Sequence, residues 1–573
     1  MDKKEVSKVL NRIGMVMELK GENSFRARAY YNAARKIEVL DEDIKQVVEE
    51  GRLKELKGIG DALAGRIEEL VQTGESSYYN ELAADLPEGL FDMLQLPGLG
   101  VKKVGKLYRK LGISSLAELE YACIENRLLE LSGFGNKTQD KILKGIEQIK
   151  KFQGKHLYAS VIEYARAILK IVRNWPEVVK ADLAGSIRRK KEVIKDIDIV
   201  VATENPEKVM NKMTEEEYVT EVIGSGSTKT SVRLDGGINL DLRAVAVDEY
   251  IYALHHFTGS KEHNTAMRSR AKDMGLKINE YGIFEDDKRI ECKTEEEFFQ
   301  TLNLAYIPPE LRENMGEIDA AEENQLPQLI TSNDVRGIFH VHTRYSDGVD
   351  SIPKMVQACR ERGYSYLGIT DHSKTAVYAN GLKISEVKAQ WEEIDALNSQ
   401  YQDFHIFKGI ESEILGDGTL DYPKDILDGY DFVIASIHSN FNGTEEEMTQ
   451  RLITAVENPY TTMLGHPTGR LLLGREGYPV DIYKVIRACA KHDVIIELNA
   501  NPHRLDLDWR YIKYARELGV PISINPDAHR IKGLDDLDFG IDVGRKGWLT
   551  KKDVFNSKSI EELKEYFTNR KGR

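Results

Sequence analysis

The stretch GIFHVHTRYSDG, residues 337–348, decides how the second half of this 573-residue chain folds. A short apolar run leads into His340 and His342, and Asp347 follows five residues after the second histidine. Alternate side chains of a β-strand point to the same face, so the two imidazoles would stand side by side. Such a pair suits a divalent transition metal, although a histidine pair on a solvated strand is the alternative that this stretch alone leaves open.

Alternating strand and helix patterns surround this stretch. Seven apolar runs predict strands: GIFHVH, YLGITDH, HIFKGIE, FVIASIH, TTMLGH, VIIELNA and PISINPDAH. Amphipathic segments separate most of them, which favours a barrel with functional groups at the carboxyl ends of its strands. Six of the seven runs end in a histidine, a glutamate or an Asp/His pair, so a site for several metal ions is predicted. The candidate ligands are His340, His342, Asp347, His372, Glu411, His438, His466, Asp527 and His529.

The order of these ligands resembles that of the PHP (polymerase and histidinol phosphatase) domain, a distorted seven-stranded barrel with three metals. The resemblance implies one metal at His340, His342, Glu411 and Asp527, a second at Glu411, His438 and His466, and a third at Asp347, His372 and His529. Mixed imidazole and carboxylate ligands suit Mn²⁺, Zn²⁺ or Fe²⁺. Metal-activated water can attack a phosphodiester. Arg470, His503 and Arg504 follow strand ends and either hold a phosphate or form ordinary loop surface.

Two aspartates on one predicted strand mark the middle of the chain. DIDIVV places Asp196 and Asp198 on one face, and the later strand INLDLRAVAV carries Asp241. Three carboxylates on adjacent strands can hold two magnesium ions for an in-line displacement at phosphorus. A DxD pair alone is also common on edge strands whose acidic residues face water.

The stretch LAGSIRRKK, residues 183–191, precedes this strand. Gly185 and Ser186 would let the backbone approach a triphosphate, and Arg188 and Arg189 would neutralise its charge. GSxRR, the DxD pair and the later strand aspartate together resemble the nucleotidyltransferase fold of polymerase β, a family X DNA polymerase. The resemblance implies that Asp196, Asp198 and Asp241 are catalytic, with Mg²⁺ or Mn²⁺, and that GSGSTKT (224–230) lies near the primer–template.

Residues 253–284, ALHHFTGSKEHNTAMRSRAKDMGLKINEYGIF, resemble the nucleotide-binding region of family X polymerases. The resemblance implies that Phe257 and Gly259 line the sugar pocket and that Asn264 and Arg268 lie beside the nascent base pair. Asn279 and Glu280 fall in the INEY turn. His256 stands where a tyrosine usually helps to exclude the ribose 2′-hydroxyl, and Asn239 replaces an arginine. The predicted nucleotide-binding residues are Gly185, Ser186, Arg188, Arg189, His256, Phe257, Gly259, Asn264 and Arg268.

A repeat occupies the first 150 residues: LKGIG (56–60), LPGLG (96–100) and LSGFG (131–135). A Gly-x-Gly turn that opens a helix leaves backbone N–H groups free for a phosphate. One such turn is weak evidence, but the three copies resemble the helix-hairpin-helix motif of DNA repair proteins. The predicted DNA contacts are Gly58, Gly60, Gly98, Gly100, Lys102, Lys103, Gly133, Gly135 and Lys137.

The segment ENSFRARAYYNAARKIEVL, with the first hairpin, resembles the small N-terminal domain of family X polymerases. In some members a lysine of that domain forms a Schiff base with 5′-deoxyribose phosphate. Arg66 occupies the matching position, and a guanidinium cannot serve as that amine nucleophile. We therefore expect 5′-phosphate binding without this lyase activity.

Composition excludes several classes of protein. With 41% apolar and 30% charged residues and a net charge of −14, the chain is typical of soluble globular proteins and lacks a generally basic nucleic-acid coat. Cys123, Cys292, Cys359 and Cys489 form no CxxC pair, which argues against a disulfide framework or a thiolate zinc site. No apolar run approaches the roughly 20 residues that span a bilayer. A cytoplasmic, nucleoid-associated protein without a membrane partner is expected.

The predicted fold class is multidomain α+β and α/β. The predicted domains are a helical DNA-binding domain with the first hairpin (1–90), a fingers-like helical domain with two further hairpins (91–152), a nucleotidyltransferase palm (153–250), a thumb (251–315), a linker (316–334) and a distorted (β/α)7 PHP barrel (335–573). The proline-rich, acidic stretch 308–334 is interpreted as an inter-domain linker or an ordered crossing segment.

A family X polymerase followed by a PHP domain is the arrangement of bacterial family X enzymes. It implies a monomeric polymerase that uses dNTPs to fill short gaps during base excision repair, on gapped or nicked DNA with a 5′-phosphate. The barrel would be a metal-dependent 3′–5′ exonuclease, with AP endonuclease or 3′-end phosphatase activity as further possibilities. Two alternatives stay open: a DNA-binding scaffold with one silent centre, and a small-molecule phosphatase fused to a polymerase.

Overall fold

The computed structural model of the chain describes residues 1, 3–38, 40, 42–56, 58–94, 96, 98–129 and 131–570, and only the backbone of residues 4, 148 and 150–153. Lys57 and Pro97 of the first two Gly-x-Gly motifs lie outside the described residues. The chain divides into two compact units, Met1–Glu147 and Gln148–Arg573. None of the helices in the described ranges has the length and apolar character needed to cross a membrane.

The first unit is built from helices, and one core cluster joins residues from Val6 to Leu70. Its helices are α1 (Lys3–Lys20), α2 (Ser24–Glu38), α3 (Ile44–Glu49), α4 (Asp61–Thr73), α5 (Ser77–Ala83), α6 (Gly89–Met93), α7 (Val101–Leu111), α8 (Leu116–Ile124) and α9 (Asn136–Gln153). Apolar residues at helical spacing, such as Leu10, Ile13 and Met17 of α1, are fully buried. This packing places each Gly-x-Gly turn directly before a helix.

The second unit begins with a palm built on a five-stranded sheet of order β2-β4-β7-β6-β5. Only β4 and β7 run parallel to each other; the remaining pairs are antiparallel. The palm elements are β1 (His156–Leu157), α10 (Tyr158–Arg173), β2 (Lys180–Leu183), α11 (Gly185–Arg188), β3 (Val193–Ile194), β4 (Asp196–Ala202), α12 (Pro206–Glu215), β5 (Val219–Ser225), β6 (Lys229–Leu234) and β7 (Asn239–Val245).

A smaller α/β region follows, with a three-stranded antiparallel sheet of order β10-β9-β8. Its elements are α13 (Tyr250–Thr258), α14 (Lys261–Asp273), β8 (Leu276–Asn279), β9 (Gly282–Glu285), β10 (Lys288–Ile290) and α15 (Glu295–Thr301).

The stretch 308–334 is an ordered crossing segment. It contains α16 (Glu317–Glu322) and two short 3-10 turns. Glu317 and Ile330 are fully buried, and Leu329 pairs with Thr550 in an isolated β-bridge. Of the two interpretations of this stretch, the packed residues favour the crossing segment over a loose linker.

The C-terminal region is a parallel seven-stranded barrel in chain order, β11 to β17. Backbone hydrogen bonds of Ala528 with His340 and His342 nearly close it between the last and first strands. The predicted fold class is confirmed. The elements are β11 (Gly337–Val341), α17 (Ile352–Glu361), β12 (Tyr366–Ile369), α18 (Ile384–Asn398), β13 (His405–Glu413), α19 (Lys424–Leu427), β14 (Phe432–Ser436), α20 (Glu445–Glu457), β15 (Met463–Leu464), α21 (Ile482–His492), β16 (Ile495–Asn499), α22 (Trp509–Glu517), β17 (Ile522–Asn525), α23 (Leu537–Lys546) and α24 (Ile560–Arg570).

Candidate active sites

The three Gly-x-Gly turns share one local structure. The first glycine has a left-handed backbone, with φ of +91° at Gly58, +85° at Gly98 and +93° at Gly133. The residue between the glycines is buried, and a helix follows the second glycine. A Cβ on Gly60, Gly100 or Gly135 would meet no described atom within 4 Å, so the N-terminus of each helix is open to a phosphate.

The basic residues beside these turns differ in their surroundings. Lys102 and Lys137 are exposed. Lys103 donates to the carbonyl oxygen of Gly98 at 3.2 Å, and its Nζ lies 5.5 Å from the centre of the Phe134 ring. Lys103 thus joins the second hairpin to the third, whereas Lys102 and Lys137 face solvent.

Arg66 packs against aromatic rings. Its guanidinium carbon lies 3.5 Å from the ring centre of Tyr78 and 5.5 Å from that of Tyr30. The two rings are stacked with their centres 6.2 Å apart. Both 5′-phosphate binding by this region and the absence of a lyase reaction at Arg66 stay predictions.

The palm sheet brings the three predicted aspartates together. Asp198 of β4 lies in register with Asp241 of β7, and Asp196 is in register with Asn239. All three aspartates are half-buried. Burial, followed by the charges of Asp196 and Asp241, raises the pKa of Asp198 to about 7. The carboxylates repel one another, and this repulsion favours bound cations.

Both the backbone conformation at position 185 and the nearby carboxylate of Asp198 require a glycine there. Its φ is +59°. A Cβ at this position would lie 1.9 Å from Oδ2 of Asp198, so any side chain would displace that carboxylate. Ser186 follows in the same short helix, α11. The glycine therefore lets the backbone of the GSxRR turn approach the carboxylates directly.

Two further palm residues bind Asp241, and the sequence analysis did not single them out. Lys229 Nζ lies 2.7 Å from Oδ2 of Asp241, and Ser231 Oγ donates to Oδ1 at 2.6 Å. Lys229 belongs to the GSGSTKT stretch that was expected near the primer–template. The antiparallel β6–β7 register pairs Ser231 with Asp241 and brings Lys229 close to it, and no local sequence pattern marked this pairing.

Both arginines of the GSxRR turn bind carboxylates. Arg188 donates to Glu295 through both terminal nitrogens, and Arg312 donates to the same carboxylate at 2.8 Å. Although burial opposes it, these two cations hold the pKa of Glu295 at about 2. Arg189 Nε donates to Oε1 of Glu313 at 3.0 Å. The turn is thus anchored to residues more than a hundred positions away in sequence.

The FTGS region contributes the remaining predicted nucleotide contacts. Asn264 donates to the carbonyl oxygen of His256 at 2.7 Å, and Arg268 lies 3.2 Å from Nδ1 of His256. The Phe257 ring is half-buried beneath the guanidinium of Arg243, 4.2 Å away. The side chain of Asn279 accepts from the backbone of Tyr281 and Gly282 and so shapes the INEY turn.

Asn239 has an arginine beside it. Its Oδ1 accepts from Nε of Arg233 at 3.3 Å, across the β6–β7 pair. Arg233 also lies 2.7 Å from Glu221. A guanidinium is therefore present near the position where Asn239 replaces the family's arginine, but it comes from the neighbouring strand.

Glu411 lies at the centre of the candidate metal site in the barrel. Its side chain is 1% exposed. Imidazole nitrogens surround its two oxygens, and the distances are 3.3 Å to His340, 3.6 Å to His342, 3.0 Å to His372, 3.1 Å to His438 and 3.0 Å to His466.

The other two predicted carboxylates flank this centre. Asp527 Oδ1 lies 3.2 Å from Nε2 of His342, and Asp347 lies 3.4 Å from Nε2 of His529. All nine predicted ligands are thereby brought together. Three groups have ligand atoms within 4.8 Å of one another: His340, His342 and Asp527; His372, Glu411 and His438; and His342, Asp347, His372 and His529.

The backbone at this site is strained. His340, His466 and Asp527 have φ of +59°, +24° and +51°, values that non-glycine residues rarely adopt. The register of β11 against β12 shifts between Ile338 and Val341. Because the register shifts here and His340 has a positive φ, an irregular strand end holds the His340 and His342 rings, whose centres lie 5.2 Å apart.

Opposite environments set the charges of the imidazoles. Burial, with the neighbouring His529 and His372, lowers the pKa of His342 to about 3. Against the effect of burial, the carboxylates of Glu411 and Glu413 raise the pKa of His438 to about 10. The two imidazoles therefore differ in charge because His342 lies among other histidines and His438 lies between two carboxylates.

Two buried carboxylates outside the predicted ligand set orient the imidazoles. Glu497 lies 2.5 Å from Nδ1 of His340 and accepts from the backbone of His466 at 2.9 Å. Glu413 lies 2.8 Å from Nδ1 of His438. VIIELNA was the predicted strand without a candidate ligand at its end, and this strand contributes Glu497. That exception to the pattern was the available signal.

The arginines that follow strand ends have separate roles. Arg470 is buried and donates to Asp508 and to the carbonyl oxygens of Arg504 and Leu505, which makes it structural. Arg504 Nε lies 3.8 Å from Oδ2 of Asp527. Arg504 is therefore the cation that reaches the centre, while His503 is half-buried in the same loop.

The residues present fit a set of divalent ions. Buried ligand-type atoms without a hydrogen-bond partner in the described part of the chain include Nε2 of His340 and His342 and Oε2 of Glu411. Nitrogen and oxygen donors of this kind suit Mn²⁺, Zn²⁺ or Fe²⁺. The three aspartates of the palm offer only oxygen, the donor that Mg²⁺ prefers.

Comparison with protein families assigns four regions of the chain. Residues 1–76 match a helix-hairpin-helix domain and residues 91–148 a SAM-like helix-hairpin-helix tandem. Residues 253–313 match the DNA polymerase beta thumb, and residues 339–501 match the PHP domain. These assignments follow the hairpins, the FTGS region and the barrel described above.

Individual relatives extend the comparison. Probable phosphatases of Thermoanaerobacter sp. (strain X514) and Caldanaerobacter subterraneus subsp. tengcongensis are 28% and 27% identical over 245 and 258 residues, which covers 40% and 42% of this chain and 94% of each relative. The "DNA polymerase/3'-5' exonuclease PolX" of Bacillus subtilis (strain 168) is 40% identical over 571 residues, 99% of both chains. With similarity of that extent, this protein belongs to the family X DNA polymerases that combine helix-hairpin-helix, thumb and PHP domains.

Proposed function

We propose that this protein is a DNA-directed DNA polymerase that also shortens DNA from its 3′ ends, with the two reactions at separate centres. The observation that carries the proposal is the presence, in one chain, of the palm aspartates in register and the imidazole–carboxylate cluster around Glu411. The Bacillus subtilis relative is named for the same two activities.

At the palm, Asp196, Asp198 and Asp241 would hold Mg²⁺ or Mn²⁺. When bound, these ions stabilise charge on the phosphoryl group during in-line displacement and favour loss of the primer hydroxyl proton. The protein's own residues orient the dNTP. Gly185 brings the backbone of its turn against Asp198, and Arg189 of the same turn, which is paired with Glu313, would add positive charge beside the triphosphate.

In the barrel, the nine ligands would hold up to three ions of Mn²⁺, Zn²⁺ or Fe²⁺. Such ions, when bound, activate water for attack on a phosphodiester and polarise the phosphoryl oxygens. Glu497 and Glu413 hold the Nδ1 side of His340 and His438, so Nε2 of each ring points toward Glu411. Arg504, beside Asp527, is the candidate cation for the scissile phosphate.

The substrate proposed for both centres is gapped or nicked DNA with a 5′-phosphate, as arises in base excision repair. The open Gly-x-Gly turns and exposed lysines support contacts to the DNA backbone, which position a protein without reading sequence. Removal of 3′-phosphates, cleavage at abasic sites, a monomeric state and association with the nucleoid belong to the same proposal, as does the division of the chain into six domains.

The test uses a 5′-labelled primer annealed to leave a short gap, with Mn²⁺ or Mg²⁺, with and without dNTPs. The wild type is compared with Asp196→Asn/Asp198→Asn and with His340→Gln/His342→Gln. We expect the first variant to lose extension only and the second to lose shortening only. Shortening that survives the histidine changes and disappears with the aspartates would refute the barrel as the nuclease. Bound metal with no turnover at one centre would support a scaffold instead.

A second candidate function for the barrel is a small-molecule phosphatase. The probable phosphatases that match 40% and 42% of the chain favour it. Hydrolysis of p-nitrophenyl phosphate and histidinol phosphate should be compared with shortening of single-stranded DNA by the same preparation. Turnover of the small esters alone would replace the exonuclease proposal with this one, and turnover of DNA alone would exclude it.

A further inference from the structure

The turn that follows α11 in the palm is held by a helix of the barrel. Lys190 Nζ lies 2.6 Å from Oδ1 of Asp542 in α23 and 3.1 Å from Glu310 of the crossing segment. Arg545 of α23 donates to the same oxygen of Glu310 at 2.8 Å. Three segments that are distant in sequence thus meet through alternating charges.

Lys546, the last residue of α23, is fully enclosed in this contact. Its side chain is 0% exposed, and its Nζ donates to Oε1 of Glu313 at 2.5 Å. The same ammonium donates to the carbonyl oxygens of Arg189 at 3.1 Å and Glu310 at 3.3 Å. Its three donors are therefore directed at two segments of the polymerase half.

The contact continues into the nucleotide-binding region. Oε1 of Glu313, which accepts from Lys546, also accepts from Nε of Arg189. Arg189 in turn donates from Nη1 to the carbonyl oxygen of Thr258, the residue before Gly259 of the FTGS turn. A Cβ on Gly259 would lie 3.0 Å from that nitrogen, which shows how closely the guanidinium sits against the turn.

We propose that Lys546 of the barrel is a positioning residue for the polymerase centre: it fixes Glu313 and the backbone of Arg189, and so places the Arg189 guanidinium against the FTGS turn. The inference rests on the proposed polymerase function and goes beyond it, because it makes the nuclease barrel a structural part of the dNTP site. Without Lys546, Glu313 loses a buried partner charge and the Arg189 carbonyl oxygen loses a donor, so the Arg189 guanidinium would be held less firmly against the FTGS turn.

The test is steady-state gap filling by the full chain, with the KM for dNTP and kcat determined separately. Lys546→Met keeps most of the length of the side chain and removes its charge, together with the contact that the ammonium makes 4.7 Å from the centre of the Trp509 ring. The matched control is Lys513→Met. Lys513 of α22 also reaches the polymerase half, through the carbonyl oxygen of Met315 at 2.9 Å, but contacts no residue of the 185–191 turn in the described structure.

We expect Lys546→Met to raise the KM for dNTP at least tenfold, with kcat and 3′-end shortening within about threefold, and Lys513→Met to change neither. In an Arg189→Ala background, Lys546→Met should raise KM no further, because the two residues act through one contact. If Lys546→Met unfolds the protein, Glu313→Gln interrupts the same link and takes its place.

An unchanged KM in a folded Lys546→Met variant would overturn the inference. Equal losses of extension and shortening would also overturn it, because they would indicate general destabilisation. A wild type that extends no primer would refute the proposed polymerase function itself, so the two failures are distinguishable.

Discussion

The palm centre and the barrel centre hold carboxylates in opposite ways. In the palm, three aspartates stand half-buried on two strands of an open sheet, with a single lysine against one of them. In the barrel, Glu411 is almost fully enclosed and five imidazoles surround it. The palm carboxylates need bound cations to neutralise their charge, whereas in the barrel the fold itself surrounds the carboxylate with imidazoles.

The difference has a physical cause in the strands. The palm aspartates extend from regular strand positions, so their geometry costs the backbone little. The barrel ligands include three residues at positive φ, and such strain persists only where the surrounding packing imposes it. We therefore expect the barrel to bind its ions tightly and to depend on single residues, and the palm to bind ions together with the dNTP.

The largest effect is expected for Glu411→Gln. The change removes the charge that all five imidazoles share, so metal content and 3′-end shortening should both be lost, the latter by at least about a thousandfold. Primer extension by the same preparation should persist. Elemental analysis checks the loss of metal, and the labelled-primer assay checks the loss of shortening and the retention of extension. Retained metal in this variant would show that the remaining ligands suffice and that Glu411 is not central.

Gly185→Ala should impair primer extension and leave 3′-end shortening intact. The new methyl group would collide with Asp198 and would need a strained backbone, so primer extension should fall by about a hundredfold or more. Shortening of the primer should be unaffected. Gly65→Ala is the control, since a Cβ there meets open space and the residue lies inside helix α4. Full extension by Gly185→Ala would mean that the turn moves away from the carboxylates during the reaction.

Glu497→Gln tests whether the barrel depends on residues that do not bind metal. The change keeps the shape of the side chain but weakens its bond to Nδ1 of His340, and partners of metal-binding histidines typically contribute about 10–100-fold in metal affinity. Metal affinity, measured by competition with a chelator, should fall in that range while the fold is retained. An affinity equal to that of the wild type would remove Glu497 from the site.

The smallest effect concerns stability and pH. Despite burial, Lys190 and Arg545 hold the pKa of Glu310 at about 2, below the usual 4.5. Stability from this group is therefore present above pH 4.5 and is lost as the pH falls from 4.5 to 2, by roughly 3 kcal/mol. Glu310→Gln should lower the thermal midpoint at pH 7 and flatten its fall across that window.

The control for this measurement is Glu322→Gln, which removes an exposed partner of Arg270. It should change the thermal midpoint little at either pH. A Glu310→Gln variant with the same pH dependence as the wild type would show that the contact between palm and barrel contributes no acid sensitivity.

Much of the fold and of the metal site was predictable because chemistry and periodicity coincide in this sequence. In the barrel, each apolar run indicates the length of a strand, and the ligand after it marks the carboxyl end of that strand. DIDIVV marks a palm strand in the same way. The exceptional strand VIIELNA pointed to Glu497, but the sequence did not show that Glu497 orients a histidine or that Arg470 is buried as a structural residue. A buried carboxylate that orients a histidine looks like any other strand residue until its partner, 157 positions away, is known.

The partners of the GSxRR arginines illustrate the same limit. Arg188 and Arg189 were expected to face a triphosphate, and their type and position predict that role. Their contacts with Glu295 and Glu313 depend on tertiary packing over 107 and 124 residues, which no local pattern encodes. Lys102 and Lys103 are neighbours in sequence but differ in their contacts. Lys103 donates back to the carbonyl oxygen of Gly98, whereas Lys102 is exposed.

The ordered crossing segment has a consequence for dissecting the protein. Residues 308–334 pack as part of the structure, with Arg312 and Ile330 fully buried and Ile330 bonded to the backbone of Leu549. Limited proteolysis requires a locally unfolded segment, so cleavage between residues 308 and 334 should be slow. A fragment beginning at residue 335 would lose these partners and expose the apolar surface that they cover, so we expect the isolated barrel to be less stable than the barrel in the full chain.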